Sequence, residues 1–517
     1  MNNKLKKQLI IHGYLSEHLP PFFTSEGLYN SYDNLIAKVI RSDRGYYDCA
    51  TFTMAKNNHD RRLIKVPNPA KQLTLIKYIL ENQSTVEDVF NKNEHTLSNP
   101  FYYTPGRYGG LVQFDLPKLR DDKKGNVKST FLANLQTKMD KSLGYQFCYK
   151  LDIANFYDSI YTHSIEWGIT GREKAKKGEG RPNLGSELDK LVRETNSKET
   201  SGIPTGPFTS RIISEIILYA IDQELEILSN EYDQIYQFTH YVDDYEFYFR
   251  NESDIYYVKN KIIEIFNSYR LMINEQKTSI ESYPFHNLVD IKREYDFYMS
   301  LYKKSQDEKY VRLLFFKADD LEKDGVTGAY KYLYKMLDDY KNIDLSESWT
   351  IVEPFLIGHL LIQPSLSQYI VKVILLYKEF ITKNFIKELY INLEMSLKKH
   401  LHNESHWLLW ALLKINYEFS AEELSNLLKE TDDDLTKIML IHTIYINGFQ
   451  NKEYILGLLE NEITRLEELS FQSEHWMLIH EWFINQWKDY KRLQTLYNGN
   501  QFFQEMNKQG VTFIHLA

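Results

Sequence analysis

The chain is poor in cysteine: Cys49 and Cys148 are the only two among 517 residues. Two cysteines so placed offer neither a disulfide framework nor the ligand spacing of a zinc site, and they fit a reducing compartment with both thiols free. Long hydrophobic runs are missing too. No uncharged stretch reaches the roughly 18 residues that a membrane-spanning helix needs. The start, Met1-Asn2-Asn3-Lys4-Leu5-Lys6-Lys7, leads into a short apolar stretch interrupted by His12 and Gly13, so a signal-peptide core is lacking. These absences predict a soluble cytoplasmic protein with no membrane partner. Nor is there an excess of basic charge. A net charge of −9 argues against binding nucleic acid over the whole surface. Residues 101–150 depart from that average, with nine Lys or Arg against four Asp or Glu. Such a segment could face a phosphate backbone or simply solvate a loop.

Aromatic residues are plentiful, at 14% with 39 Tyr and 28 Phe. Most suit a core, and some could stack on bases. The length suggests two to four domains' worth of chain.

The organising stretch is His240-Tyr241-Val242-Asp243-Asp244-Tyr245. Phe238-Thr239 before it and Glu246-Phe247-Tyr248-Phe249 after it give two aromatic and β-branched runs around a carboxylate pair, the pattern of a β-hairpin with its acids at the turn. Adjacent aspartates at a hairpin tip need a neutralising cation, and hard divalent ions such as Mg²⁺ prefer carboxylate oxygens. Upstream, Tyr149 to Ile160 reads as a buried strand that delivers Asp152 at its end and turns into a helix. An acid in so apolar a run needs a partner. A cation shared with Asp243 and Asp244 would supply it, and two ions held by such acids are the arrangement used for nucleotidyl transfer. Between the two lies Gly202-Ile203-Pro204-Thr205-Gly206-Pro207-Phe208-Thr209-Ser210, a turn-rich loop entering a long helix with Ile212, Ile213, Ile216, Ile217, Ala220 and Ile221 at helical spacing.

Elsewhere, Thr51–Lys56 and Arg61–Val66 bracket Asn57-Asn58-His59-Asp60 as strand, polar turn and strand. Helices are expected over Lys71–Asn82, 129–141 and 255–270. Gly106, Arg107 and their neighbours mark an irregular connection, followed by a basic segment containing Lys118, Arg120, Lys123, Lys124 and Lys128. The charged, Gly-punctuated segment Gly171–Arg181 reads as a mobile solvent loop. From about residue 310 the pattern is helix after helix, with stripes such as Leu389, Leu393, Leu397 and Leu459, Ile463, Leu466. His406-Trp407-Leu408-Leu409 recurs as His475-Trp476-Met477-Leu478, a faint repeat at about twice 35 residues. Both histidines read as structural, without acidic neighbours at ligand spacing.

The stretches around Asp152, Thr205 and Asp243, taken in order, resemble motifs A, B and C of the reverse transcriptase palm. Leu271–Thr278 resembles motif D with its lysine. The expected fold is therefore α+β: reverse-transcriptase fingers and palm over 1–305, then an all-α, HEAT-like helical-repeat domain over 306–517. Thr205 and the long helical part resemble, in particular, the bacterial abortive-infection (Abi) reverse transcriptases of AbiK-like type, which act in anti-phage defence. The resemblance implies a DNA polymerase that adds dNTPs by two-metal nucleotidyl transfer without a template, in some members from a tyrosine of the protein itself, and that forms homo-oligomers. Asp152, Asp243 and Asp244 would be catalytic and hold two Mg²⁺, or Mn²⁺ in their place, together with the Ile153 carbonyl. Arg61, Arg62 or Lys65 would hold the triphosphate, and Thr205 and Gly206 would line the nucleotide site. Tyr157 matches the steric gate against ribose, and Lys277 would stabilise pyrophosphate. The product would be single-stranded DNA, in some cases covalently attached. The priming residue is not identified, with Tyr46 and Tyr47 as candidates near the fingers hairpin. Most reverse transcriptases carry Gln where this chain has Thr205, which puts ordinary templated copying in doubt. A templated, retron-like enzyme and a non-catalytic interaction protein on a palm scaffold remain as alternatives. An RNA-dependent RNA polymerase ranks lower, because it would place an acid at the Tyr157 position and Gly before the aspartates.

Overall fold

The computed structural model describes residues 3–39, 45–56, 60–105, 111–113, 130–284, 291–326, 328–338 and 343–515. The turn Asn57–His59, the loop around Arg107 and the basic segment with Lys118, Arg120, Lys123, Lys124 and Lys128 lie outside these described residues. The architecture is mixed α+β, with a small antiparallel sheet followed by a long helical region.

Two short hairpins precede the main sheet. Strands β1 (Ala50–Ala55) and β2 (Arg61–Val66) pair antiparallel with Ala50 opposite Val66, and β3 (Tyr103–Pro105) pairs with β4 (Leu111–Gln113). The main sheet contains β5 (Phe147–Asp152), β6 (Tyr236–Tyr241), β7 (Asp244–Phe249) and β8 (Ser279–Ser282) in the order β6-β7-β5-β8, each pair antiparallel. Alternation fixes its register: Tyr245, Phe247 and Phe249 point to the core while Glu246 and Tyr248 point to the other face. The core face is covered by helix α1 (Phe208–Glu231) and helix α2 (Glu252–Ser268), whose Val258, Ile262 and Phe266 are buried. Phe266 meets Tyr245 edge-on at 5.0 Å. The free edge of β6 is closed by the segment around Thr96, where Leu97 N donates to His240 O at 2.8 Å and His240 N to His95 O at 3.0 Å.

The helices expected near 71–82, 129–141 and 255–270 run over Pro69–Glu81, Thr130–Lys141 and Glu252–Ser268. The segment read as a mobile solvent loop is different. Arg172–Lys177 is a helix, and Arg181 clamps the buried Glu166 through Nε at 2.9 Å and a second guanidinium nitrogen, with Asn183 adding a bond at 3.0 Å. A buried carboxylate demands such partners, and that demand orders the segment.

The helical region begins earlier than residue 310. It comprises α3 (Ile291–Ser305), α4 (Lys309–Lys323), α5 (Ala329–Leu337), α6 (Trp349–Ile362), α7 (Ser367–Leu376), α8 (Lys383–Lys398), α9 (His402–Lys414), α10 (Ala421–Glu430), α11 (Asp434–Ile446), α12 (Glu453–Glu467) and α13 (Trp476–Ile484). Each packs against the next but one, so α3, α5, α7, α9, α11 and α13 form one layer and α4, α6, α8, α10 and α12 the other. The array folds back on the first half of the chain. Trp407 and Asn403 on α9 donate to His18 O at 2.7 and 2.8 Å, and near the end of the chain Ile514 pairs with Phe23. One continuous apolar core links sheet and helices. Among the described residues no helix is long and apolar enough to cross a membrane.

Candidate active site

The hairpin β6–β7 turns through Val242 and Asp243. Val242 has φ +55°, costly for a β-branched residue, while Asp243 keeps a negative φ, which is the signature of a II′ turn. The strain, of order 1–3 kcal/mol, is held from both sides. Ser98 Oγ accepts from Val242 N at 3.0 Å, and His240 Nδ1 lies 3.1 Å from Val242 O. Behind the turn, His240 Nε2 meets Asp222 Oδ2 of α1 at 2.9 Å, and Asp222 also accepts from Tyr245 Oη at 2.9 Å and Asn93 Nδ2 at 2.7 Å. Glu215, also buried on α1, accepts from Ser98 Oγ at 2.5 Å and Thr96 Oγ1 at 3.1 Å. Sequence reasoning passed over Asp222 and Glu215. The signal was an acid at two inward positions of an otherwise apolar helix face.

The three aspartates come together. Asp152, the last residue of β5, is the cross-strand partner of Asp244, the first residue of β7, and Ile153 N donates to Asp243 O at 3.2 Å. Asp152 is buried; Asn274 Nδ2 donates to its Oδ2 at 3.0 Å and Lys277 Nζ to its Oδ1 at 2.8 Å. Burial, then the Asp152 charge, raises the Asp243 carboxyl above its ordinary value. Burial, then Asp243 and Asp152, pushes Asp244 up to about 6. Three crowded carboxylates offering only hard oxygen donors, with an ammonium already drawn against one of them, suit divalent cations of the Mg²⁺ or Mn²⁺ kind. Three residues after Asp152, Asn155 adopts φ +46° to start the short helix Phe156–Ser159, and Lys56, next to the end of β1, reaches its side chain at 3.1 Å.

A cavity of about 270 Å³ opens over these carboxylates, lined by Arg62, Tyr157, Thr205, Gly206, Arg211, Tyr241, Asp243 and Asp244, and by the segment His12–His18. Gly206 has φ +137°, and a Cβ there would stand 3.0 Å from Lys65 O, so glycine lets β2 lie against the loop, where Lys65 N donates to Thr205 O at 2.8 Å. A larger cavity of about 560 Å³ lies between Pro69–Glu81 and Leu184–Glu194 and holds none of the expected site residues.

The three cations of β2 separate. Arg62 faces the cavity. Arg61 is instead bonded to the buried Glu404 of α9, at 3.2 and 2.8 Å, and to Thr53. Lys65 Nζ turns to Asn196 at 3.0 Å. Of the two candidate priming tyrosines, Tyr46 is exposed and Tyr47 buried, and neither lines the cavity. The histidines read as lacking acidic neighbours do have them: His406 Nε2 meets Asp433 at 3.0 Å and His475 Nδ1 meets Asp434 at 2.7 Å, because the fold brings the start of α11 to both.

One further group could be mistaken for a metal centre: ligand atoms of His402, Asp432 and Asp433 lie within 4.8 Å of one another. The Thr53 amide donates to His402 Nδ1, which leaves the proton on Nε2, 3.1 Å from Asp432. A nitrogen that carries its proton is not a ligand, and the cluster ties β1 to the helices through the Thr53–His402 bond.

Residues 107–307 match the family described as "Reverse transcriptase (RNA-dependent DNA polymerase)", so the chain carries a reverse transcriptase domain. No curated protein matches the chain in sequence. Among solved structures, apo telomerase from Candida tropicalis truncated from its C-terminal domain matches with 14% identity and a TM-score of 0.31, over 52% of this chain and 57% of that one. Telomerase from Candida albicans in complex with a TWJ fragment of telomeric RNA matches with 12% identity and a TM-score of 0.29, over 74% and 70%. Apo telomerase from Candida tropicalis matches with 12% identity and a TM-score of 0.32, over 86% and 77%.

Proposed function

We propose that the protein is a DNA polymerase of the reverse transcriptase kind that adds dNTPs without a template, of the abortive-infection type. The convergence of Asp152, Asp243 and Asp244 under a cavity shared with Tyr157 and Arg62 carries the polymerase reading. Asp152, Asp243, Asp244 and the Ile153 carbonyl would hold two divalent cations, which when bound lower the pKa of an attacking hydroxyl and neutralise charge on the triphosphate. Arg62 draws the triphosphate to the fingers side of the cavity. Tyr157, in the cavity wall, would clash with a ribose 2′-hydroxyl, and Lys277, tethered to Asp152, would meet a departing pyrophosphate.

Untemplated synthesis is supported by Thr205, whose short side chain replaces the Gln that positions a template base in most of the family. The alternating helix layers support a HEAT-like repeat and, through it, assembly into homo-oligomers in the cytoplasm of a bacterium. A protein-primed start would leave single-stranded DNA attached to the chain. The test is purified protein with Mg²⁺ and labelled dNTPs, with and without template, followed by protease. Product that forms without template and shifts on proteolysis supports the reading; product whose sequence follows an added RNA favours a templated enzyme. No incorporation under any condition sinks both.

A further inference from the structure

Arg211, four residues into α1, has no evident use in the reading above. Its guanidinium stacks over Tyr103 at 4.7 Å and over Tyr241 at 5.8 Å, and Tyr157 and Tyr241 line the same cavity. The Tyr103 and Tyr241 hydroxyls lie 3.4 Å apart, so the rings form a fixed wall rather than loose neighbours. Glu215, one helical turn on, is the natural counter-ion, yet its oxygens are taken by Ser98 and Thr96. Among the described residues no ion pair or side-chain hydrogen bond engages Arg211, and its Nε is sealed from solvent without a partner. Other arginines are paired, Arg61 with Glu404, Arg181 with Glu166 and Arg465 with Glu462 and Asp434, while Arg172, set against Trp167 and Tyr269, shares the unpartnered Nε.

The rings and the nearby Glu215 charge offset part of the cost of enclosing this guanidinium, yet among the described residues its fork of donors is hydrogen-bonded to no anion. The rings pack against the guanidinium where the residue lines the cavity, and a guanidinium can grip phosphate through two parallel bonds. Arg62 stands elsewhere on the wall, near enough for its charge to act on Asp243. The cavity therefore carries two separate cations, one beside the carboxylates and one among the tyrosines.

We propose that Arg211, framed by Tyr103, Tyr157 and Tyr241, is a phosphate-binding subsite of the catalytic cavity, distinct from the Arg62 side. This rests on the polymerase reading for the source of its ligand. The phosphate belongs either to the backbone of the strand being extended or to the incoming nucleotide.

The test uses the full chain carrying Asp243→Asn, which binds without turnover, against the same chain with Arg211→Met added. Isothermal titration compares a dNTP with its nucleoside, and a single-stranded oligodeoxynucleotide with its uncharged methylphosphonate counterpart. Arg211→Met is expected to weaken at least one phosphate-bearing probe by about tenfold or more, leaving the uncharged counterparts unchanged, and the probe affected identifies the source. Arg211→Lys, which keeps the charge and loses the fork, should recover only part of the affinity. Equal binding of both phosphate probes by the two proteins overturns the subsite. Incorporation assays on the wild-type chain are read separately: an active enzyme with unaltered binding in Arg211→Met sinks only the subsite, and an inactive wild-type chain sinks only the polymerase reading.

Discussion

His240 Nε2 and Asp222 Oδ2 stand 2.9 Å apart with both side chains sealed from water, directly behind the turn that carries Asp243. Burial alone would lower the imidazole, but the Asp222 carboxylate outweighs it and His240 is raised from 6.5 to about 9. Burial would likewise raise Asp222, and the facing imidazolium holds it below its ordinary 3.8. At neutral pH the ring is therefore charged and donates through both nitrogens, to Asp222 and to Val242 O. A histidine raised on folding adds stability that is complete below about pH 6.5 and is lost as pH climbs through about 9. The depressed Asp222 adds stability present above about pH 4 and lost as acid protonates it. The pair's own contribution, read as wild type against Asp222→Asn in denaturant unfolding, should thus be level between about pH 4 and 6.5 and decline by about 3 kcal/mol toward pH 10. Asp222→Asn should flatten the alkaline decline and cost about 3–5 kcal/mol at pH 7, because it strands a buried cation. An unchanged alkaline limb in that variant would mean the pair does not hold the turn.

The carboxylates themselves should trade stability for activity. Asp243 and Asp244 are raised, so their ionised forms weaken the fold as pH rises through about 6, the opposite sign to Asp222. Asp244→Asn is expected to stabilise the metal-free protein by up to about 1 kcal/mol, a small figure because solvent screens this exposed turn residue. Asp152→Asn or Asp243→Asn should lower nucleotide incorporation at least about 10³-fold. Calorimetry with and without Mg²⁺ checks both: wild type should gain in Tm from the ion, and the Asn variants should not.

The elements that were legible in the sequence are those written locally. Alternation around Asp243, the apolar run ending at Asp152 and the Gly-Pro entry to α1 each depend on neighbours a few residues away, and the strands and helices appear where those patterns put them. Partnership over distance was not legible. Nothing near Arg61 indicates that Glu404 waits 343 positions later, or that Asp433 and Asp434 will meet His406 and His475. Gly171–Arg181 looked solvent-borne because its anchor, Glu166, reads as one more acid on a helix, and only burial makes that acid demand Arg181. The same blindness hid Arg211, whose meaning lies in three tyrosines from three separate segments.

Tyr157 tests the preference for deoxynucleotides. Ile203 N donates to its backbone carbonyl at 2.9 Å, which ties the short helix after Asp152 to the Thr205 loop. Tyr157→Ala should raise incorporation of rNTPs relative to dNTPs by on the order of 10²-fold, the scale on which a pocket distinguishes a hydroxyl. Competition between labelled UTP and dTTP measures it. Unchanged discrimination would make Tyr157 a packing residue.

Adjacent arginines on β2 should behave as different kinds of residue. Side chains alternate along a strand, and Arg62 faces the cavity while Arg61 crosses to Glu404, a carboxylate only 2% exposed. Arg61 makes two bonds to that carboxylate and two more to Thr53, joining the β1–β2 hairpin to α9. Arg61→Ala leaves Glu404 buried and unpaired, so it should cost about 3–5 kcal/mol and lower Tm, with KM for dNTPs little changed in the molecules that remain folded. Arg62→Ala frees an exposed strand position and should leave the unfolding free energy within about 0.5 kcal/mol of wild type. Its KM should rise about tenfold or more, as expected for a lost charge-assisted contact to phosphate. Arg61→Ala paired with Glu404→Leu removes both buried charges and should recover much of the lost stability, which a purely steric role for Arg61 would not predict. If Arg61→Ala instead raises KM at constant Tm, the hairpin presents both arginines to the nucleotide and the clamp on α9 is not what holds it.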